Sequence, residues 1–508
     1  MSFRVFVMLL YRWLNEAVEL RGTAKALVYR DTYLSWRGMQ HRVERRAQEL
    51  ASMGIEKGHW VGLMLGNVPD FAILALALSR LGAVVVPLDP TTGVRDLTLF
   101  LEHAPLRALV TRPRGGNELP SSQTLVVRTR KETRLEPESR RRLQGTLLTC
   151  SIYKQVDPPN GNAEVVLLTA DTSGDPKGVL RTSENLDANC ENLAASLDVN
   201  ETAKILLTMP LYSAYGFDLG LCLALRYGAT LFLEDEMSAK RIAKLLREQE
   251  IDFLPATAPI FAALSKMPTA RPLKTRFARF LATGSKLPQQ IADEFRQRYG
   301  IRTLPIYHTT EAGAISLDRK GMMPETVGKP ISGVELKLGE PDENGQSSVW
   351  VRSKAVALHS VGPMSHLSAG SSSGEHGRTS ESRPVRIGGF DADGFLRTGD
   401  LGQIDRTHRL TLFGREDDLV KVEGKRVALG EVEGCLESFP KVKSAQAKLF
   451  ADEHGSTMIV ANVVVSGRCR AEDLIDHCAK NLAPYKVPRR IDVRFSLSSE
   501  LGGPSCVR

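Results

Sequence analysis

VVLLTADTSGDPKGVLR, residues 165–181, joins a β-branched apolar run to a small, hydroxyl-rich segment that carries one lysine. Val165 to Leu168 has the length and branching of a buried strand. The turn expected after it offers Thr169, Thr172, Ser173, Gly174, Lys177 and Gly178, a set of groups suited to a polyphosphate. Backbone N–H groups freed by glycine form an anion nest, hydroxyls donate, and the lysine supplies a point charge. Each charge-assisted bond of this kind contributes roughly 1.5–3 kcal/mol. A Walker loop is excluded, because Pro176 precedes Lys177 and Gly178 follows it, leaving neither Gly-Lys nor a following Ser or Thr. Taken alone, the segment also fits a solvent loop that is merely rich in turn formers.

The surrounding chain narrows the choice. At 508 residues it exceeds what one hydrophobic core supports, so two or more domains are expected. Its 42% hydrophobic and 25% charged residues are those of an ordinary soluble protein. The 7 cysteines are scattered, odd in number and never spaced Cys-x-x-Cys. That argues against a disulfide framework or zinc site and for a reducing, cytoplasmic setting. Val5 to Leu10 is apolar, but Arg12 interrupts it, too early for a membrane span and more in keeping with the start of an amphipathic helix. The formal charge of +8 permits a nucleic-acid reading. However, the densest basic stretch, Arg128 to Arg142, has Glu132, Glu136 and Glu138 mixed into it and no aromatic residue to stack a base. A mild positive field suits anionic small molecules equally well.

Strand and helix signals alternate along most of the chain. A hairpin is expected from Ala26 to Leu34 around Arg30-Asp31. A helix should follow with Met39, Val43, Ala47 and Leu50 on one face, then a strand at Val61 to Leu65, a helix at Phe71 to Leu81 and strands at Ala83 to Leu88 and Leu109 to Thr111. Residues 112–160 are weakly patterned and read as peripheral. Further strands are expected at Ala203 to Thr208, Thr230 to Leu233, Phe253 to Pro255, Phe280 to Ala282 and Thr303 to Ile306. Such repetition implies parallel sheets covered by helices. SAGSSSGEHGRTSESRP, residues 368–384, has no hydrophobic period and reads as a mobile surface loop. Beyond Gly414 a separate α+β unit is expected, with strands at Ala445 to Leu449 and Ile459 to Val465 and a helix at Ala471 to Leu482. The fold class is therefore α/β: a large N-terminal domain (1–413) of parallel sheets layered with helices, and a small mobile C-terminal α+β domain (414–508).

Further polar clusters stand where strands end, the ligand-binding edge of open α/β sheets. Tyr307-His308-Thr309-Thr310-Glu311, Arg397-Thr398-Gly399-Asp400 and Gly414-Arg415-Glu416-Asp417-Asp418 are three of them. Each alone has a structural account: a capped helix start, a turn aspartate, a charged linker. Their order and spacing, with TSGDPKGV, PLYSAYGF, YHTTEAG, VGKPISGVE, FLRTGDLG and GREDDLVKVEGKRVALGEVE, resemble the adenylate-forming superfamily of acyl- and aryl-CoA synthetases, nonribosomal peptide adenylation domains and beetle luciferases. The resemblance runs from about Ala26 to Val487.

That resemblance implies a chemistry in which a carboxylate attacks the α-phosphorus of ATP, and the thiol of coenzyme A then displaces AMP from the acyl-adenylate. It assigns Thr169, Thr172, Ser173, Gly174, Lys177 and Gly178 to the phosphates, Thr310 to the α-phosphate and Glu311 to Mg²⁺. Tyr307 and His308, with Gly284, Ser285 and Lys286, fall beside adenine, and Asp400 and Arg415 at the ribose. Lys421, Gly424 and Lys425 fall on the loop that meets coenzyme A once the small domain has swung about Asp417. Tyr212, Ser213, Ala214, Tyr215, Phe217, Ala312 and Gly313 line the acid pocket. Because these are mostly apolar or small, the expected substrate is a fatty or other hydrophobic acid. Other readings are a ligase that loads a carrier protein's phosphopantetheine arm, and a nucleotide-binding member without full catalysis.

The departures from the family pattern motivate the last of these. Ala170-Asp171 stands where relatives usually have Ser-Gly. A carboxylate ~6 Å from a phosphate at an effective dielectric of ~20 costs roughly 3 kcal/mol. His308 replaces a glycine, Ser213 a frequent histidine and Leu429 a frequent proline. The ending SSELGGPSCVR does not match the Gly-Lys motif of relatives, and Lys486 is the last lysine. On this reading nucleotide binding survives and adenylation is slowed.

Overall fold

The computed structural model describes residues 8–91, 104, 106–112, 127–128, 134–135, 139–142, 148–152, 162–170, 176–234, 238–268, 272–273, 278–284, 286–342, 345–361, 385–416, 419–422, 425–451, 457–482 and 486–495. The Ser/Gly-rich segment 368–384 lies outside them. The chain divides into two compact units: Met1–Leu336 with Val351–Leu396 and Arg406–Leu410, and Lys337–Trp350 with Arg397–Asp405 and Thr411–Arg508.

The first unit holds two nine-stranded sheets. One runs, edge to edge, Val385–Arg386, His359–Val361, Pro176–Thr182, Ala163–Ala170, Val84–Pro87, Trp60–Met64, Leu106–Thr111, Thr149–Ile152 and Ser139–Arg142. The other runs Lys329–Pro330, Gly313–Leu317, Thr303–Thr309, Arg279–Ala282, Phe253–Ala256, Lys204–Leu207, Thr230–Leu233, Lys25–Tyr29 and Thr32–Ser35. The strands from Ala163–Ala170 across to Leu106–Thr111 are parallel, as are those from Thr303–Thr309 across to Lys25–Tyr29. The outer strands are antiparallel; some pair with a near neighbour in the chain, as Lys25–Tyr29 does with Thr32–Ser35, and others with a distant segment, as Pro176–Thr182 does with His359–Val361. The segment read as weakly patterned thus supplies the edge strand at 139–142 and its neighbour at 149–152.

Local sequence accounts for the helices that flank these sheets. Ser35 caps Trp36–Ser52 by accepting from Gly38 N at 3.1 Å. Met39, Val43, Ala47 and Leu50 are its buried stripe. Pro69 opens the next helix, Pro69–Leu81, where its missing N–H costs nothing. Ala239–Glu248, Ala258–Ser265 and Gln289–Tyr299 pack Leu246, Phe261, Phe295 and Tyr299 into one apolar cluster with Leu254 and Phe280.

The N-terminal helix, Leu9–Arg21, has no side-chain cap of its own. The fully buried Glu164 supplies one from across the fold, accepting from Leu9 N at 2.9 Å and Leu10 N at 3.1 Å. The Ser79 and Ser183 hydroxyls donate to the same carboxylate at 2.6 and 2.7 Å. The helix dipole and four donors together offset the cost of burying the charge. Glu164→Ala should therefore lower the stability of this unit by about 3 kcal/mol, and Glu164→Gln by about half of that. Urea unfolding followed by circular dichroism measures both, and a loss under 1 kcal/mol for the alanine variant would refute the cap.

Most residues of a four-stranded sheet, in the order Glu335–Leu338, Ser347–Arg352, Leu396–Ile404, Leu410–Arg415, fall in the second unit. A hairpin of Leu419–Val422 and Lys425–Ala428 follows. Val442–Ala451, Thr457–Val465 and Arg490–Phe495 then form a three-stranded sheet. Helices Leu429–Glu437 and Ala471–Asn481 complete its core around Val432, Leu436, Val463 and Leu474. Both strands and the helix expected beyond Gly414 are present, and the added parallel strand 490–495 pairs with 457–465.

Candidate functional site

The stretch that opened the sequence analysis is a β-hairpin in the first unit. Ala163–Ala170 pairs with Pro176–Thr182 in a register that sets Leu168 opposite Gly178, Thr169 opposite Lys177 and Ala170 opposite Pro176. This corrects the expectation of a long turn: Thr169, Lys177 and Gly178 are strand residues. Pairing continues that far because Gly178 and its neighbours are also tied on their other side to His359–Val361. Asp171, Thr172, Ser173 and Gly174 lie outside the described residues.

A second hairpin reaches the same place. Thr303–Thr309 and Gly313–Leu317 are antiparallel, with Thr309 opposite Gly313, so Thr310, Glu311 and Ala312 form its tip. Gly313 has φ +69°, and a Cβ there would overlap Asn189 Oδ1, which accepts from Ala314 N at 2.9 Å. Only glycine fits that tight return. Thr309 Oγ1 accepts from Ala312 N at 3.1 Å. Lys177 Nζ lies 3.6 Å from Glu311 Oε1, and both side chains are about a quarter exposed (22% and 25%). Two residues 134 positions apart in sequence, the one expected at phosphate and the other at Mg²⁺, are thus neighbours in space.

Beneath this tip lies a cluster that the motifs did not disclose. Arg181, on the lysine's strand, is fully buried, and its Nη1 donates to the Thr310 carbonyl at 3.1 Å and lies 3.5 Å from Asp218 Oδ2. His308 Nε2 is 2.9 Å from the same carboxylate oxygen. Burial pushes the Asp218 carboxyl up, but Arg181 and then His308 outweigh it and hold the group below its ordinary value. Its contribution to stability is therefore complete above about pH 4 and is lost only as pH falls through the depressed folded value. The signal for both residues was a charge inside an apolar run, Val179-Leu180-Arg181 and Phe217-Asp218-Leu219, where a charge is rarely buried without a partner.

The remaining expected residues distribute as follows. His308 has a fully buried side chain, with its ring centroid 4.7 Å from that of Tyr215. Tyr307 is buried on the same strand. Gly284 (φ +83°) and Lys286 are exposed just past the Arg279–Ala282 strand, and Ser285 lies outside the described residues. Ser213 caps the short helix Ala214–Gly216, accepting from Gly216 N at 3.1 Å and donating to Pro210 O at 2.7 Å. Asn67 clamps the preceding backbone, with Oδ1 accepting from Leu211 N at 2.7 Å and Nδ2 donating to Met209 O at 3.0 Å. Burial, then the Asp89 carboxylate that accepts its hydrogen bond, pushes the Tyr212 phenol up to about 12, so it stays protonated at physiological pH. Phe217, Ala312 and Gly313 are buried.

In the second unit, Arg415 Nη1 lies 3.9 Å from Asp400 Oδ1. Gly399 between them has φ +81°, and a Cβ there would stand 2.9 Å from Arg415 Nη2. Arg397 pairs with Glu416 on the same sheet. Lys421 and Lys425 lie on the two strands of the 419–428 hairpin, opposite Arg426 and Val422 respectively. Gly424 and Asp417 are outside the described residues. Among the described residues no group of three or more His, Cys, Asp or Glu is arranged to hold a metal, and no helix is long and apolar enough to cross a membrane.

A family model for AMP-binding enzymes matches residues 14–358. The chain belongs to the AMP-binding enzyme family. Among curated relatives, this AMP-binding enzyme is 23% identical over 501 residues to the 2-succinylbenzoate–CoA ligase of Bacillus licheniformis, with 94% of each chain covered. It is 27% identical over 475 residues to the sulfoacetate–CoA ligase of Cupriavidus necator, covering 90% of this chain and 87% of that one. The structure of o-succinylbenzoate coenzyme A synthetase from Bacillus subtilis, in complex with its acyl-adenylate intermediate, matches with a TM-score of 0.76 at 24% identity, covering 95% of this chain and 94% of that one. The α/β architecture expected from the sequence is the one these proteins share.

Proposed function

We propose that this AMP-binding enzyme is an ATP-dependent carboxylate–CoA ligase acting on a fatty or other hydrophobic acid. The observation that carries the reading is the meeting of Lys177 and Glu311 beside Thr310, at the facing ends of two hairpins. A cation and a carboxylate side by side, both partly open to solvent, suit a magnesium-bound triphosphate better than either charge alone. Lys177 binds phosphate oxygens, and the Thr310 hydroxyl donates to the α-phosphate. Glu311 fits Mg²⁺, which takes one or two protein carboxylates and fills its shell with phosphate oxygens and water. When bound, the ion neutralises charge on the phosphates. Asp400 accepts from the ribose hydroxyls, and Arg415 lies beside that carboxylate. The substrate carboxylate oxygen bonds to the α-phosphorus as the bond to the β-phosphate oxygen breaks and pyrophosphate leaves. The thiol sulfur of coenzyme A, its proton passing to solvent, then bonds to the acyl carbon and AMP leaves. Lys421 and Lys425 are assigned to coenzyme A, Asp417 to the hinge, and residues 1–413 and 414–508 to the domains that turn about it.

The hydrophobic acid rests on the composition of the candidate pocket. Its two tyrosines have their hydroxyls engaged, Tyr212 by Asp89 and Tyr215 by the His308 carbonyl, and Ser213 is occupied as a helix cap. None of these three hydroxyls is left to recognise a polar substituent. Each buried methylene contributes about 0.8 kcal/mol, so four added methylenes should raise kcat/KM by roughly 10²-fold. A panel of acids, with thioester and AMP measured with coenzyme A and with a phosphopantetheinylated carrier protein, tests this. The reading predicts efficiency that rises with chain length and a coenzyme A thioester. A preference for short or charged acids, or thioester on the carrier alone, would contradict it.

A further inference from the structure

Arg181, Asp218 and His308 have no counterpart in the phosphate, ribose or thiol chemistry just described, yet all three side chains are wholly buried. They come from three separate elements: the strand Pro176–Thr182, the π-helical turn Phe217–Cys222 and the strand Thr303–Thr309. Bringing three such groups out of water is unfavourable unless every polar atom is paired. Here Arg181 Nε and Nη2, Asp218 Oδ1 and His308 Nδ1 have no hydrogen-bond partner among the described residues. The cluster is therefore a poor stabiliser of the fold. The π-turn that delivers Asp218 is a rare irregularity found mostly at functional sites.

What the cluster does hold is one turn of backbone. Arg181 donates to the Thr310 carbonyl at 3.1 Å, and the Tyr215 hydroxyl donates to the His308 carbonyl at 2.9 Å. Ala357 N donates to the Glu311 carbonyl at 2.7 Å. Asp218 neutralises Arg181 and, through the same oxygen, fixes the His308 ring two residues before Thr310. The three carbonyls around the Thr310–Glu311 tip are thus each pinned, and the central one is pinned by a buried charge. We propose that Arg181 and Asp218 are positioning residues that lock the Thr310–Glu311 turn in the geometry that receives magnesium-bound ATP. The nucleotide half of this inference rests on the function proposed above, whereas the locking of the turn does not.

The decisive variant is the charge-neutral double substitution Arg181→Met/Asp218→Asn in the full chain. It removes the guanidinium without stranding the carboxylate and leaves an amide oxygen for His308. Hydrogen exchange of the unliganded protein should show the amides of residues 310–312 at least tenfold faster, with those of the Lys204–Leu207 strand unchanged. Calorimetric affinity for Mg-ATP should fall at least tenfold, and KM for ATP should rise in parallel while KM for the acid stays within twofold, a split that general loosening does not produce. Arg181→Lys, which keeps the charge but has a single nitrogen to share between Thr310 and Asp218, should give intermediate values and serves if the double variant does not fold. Unchanged exchange at 310–312 together with unchanged Mg-ATP affinity in a folded variant would overturn the inference. Absence of Mg-ATP binding by the unmodified chain would remove the proposed function instead, and the exchange data would still decide whether Arg181 locks the turn.

Discussion

Lys177→Ala and Glu311→Gln should each weaken Mg-ATP binding or slow adenylate formation by tenfold or more, with little change in stability. The pair they form at 3.6 Å is about a quarter exposed, and exposed pairs contribute only about 0–1 kcal/mol to folding. A large effect must then come from the nucleotide. Loss of one charge-assisted contact to a phosphate at roughly 1.5–3 kcal/mol corresponds to about 10–10²-fold. The two variants should also differ in kind. Glu311→Gln removes a magnesium ligand, so its defect should shrink as free Mg²⁺ is raised, whereas that of Lys177→Ala should not. Isothermal titration with ATP over a magnesium series separates them, and identical magnesium dependence in both variants would sink the assignment of Glu311.

A second large effect is expected in the other unit. Asp400, held near Arg415 across Gly399, is assigned the two ribose hydroxyls. Asp400→Ala removes two charge-assisted bonds, worth together about 3–4 kcal/mol, so binding of AMP and ATP should weaken by roughly 10²–10³-fold. The test needs a second nucleotide. Unmodified protein should bind 2′-deoxy-ATP about tenfold more weakly than ATP, and Asp400→Ala should bind the two alike. Discrimination that survives in the alanine variant would place the ribose elsewhere.

The elements read from sequence are those whose signal is local. Ser35 and the Met39, Val43, Ala47, Leu50 stripe mark a helix whatever surrounds it, and Val165 to Leu168 could be little but a buried strand. Lys177 reads as a turn residue because the Gly and Pro around it outweigh the pairing of its strand with His359–Val361, which lies far along the chain. Residues 139–142 give no strand signal because an edge strand, open on one side, needs no apolar run, and the four-residue strand 149–152 beside it is too short to show a period. The candidate site divided in the same way. Lys177, Thr310 and Glu311 sit in short motifs that can be read residue by residue. Arg181 and Asp218 are single charges in apolar runs, and only the sheet and the π-turn bring them together.

The most direct test of the account is acid-dependent exchange of labelled pyrophosphate into ATP by the full chain with Mg²⁺. Exchange that appears only with a hydrophobic carboxylic acid present, followed on adding coenzyme A by equimolar AMP and thioester, is the result predicted. A folded chain that binds Mg-ATP but shows no exchange with any acid of the panel would contradict it.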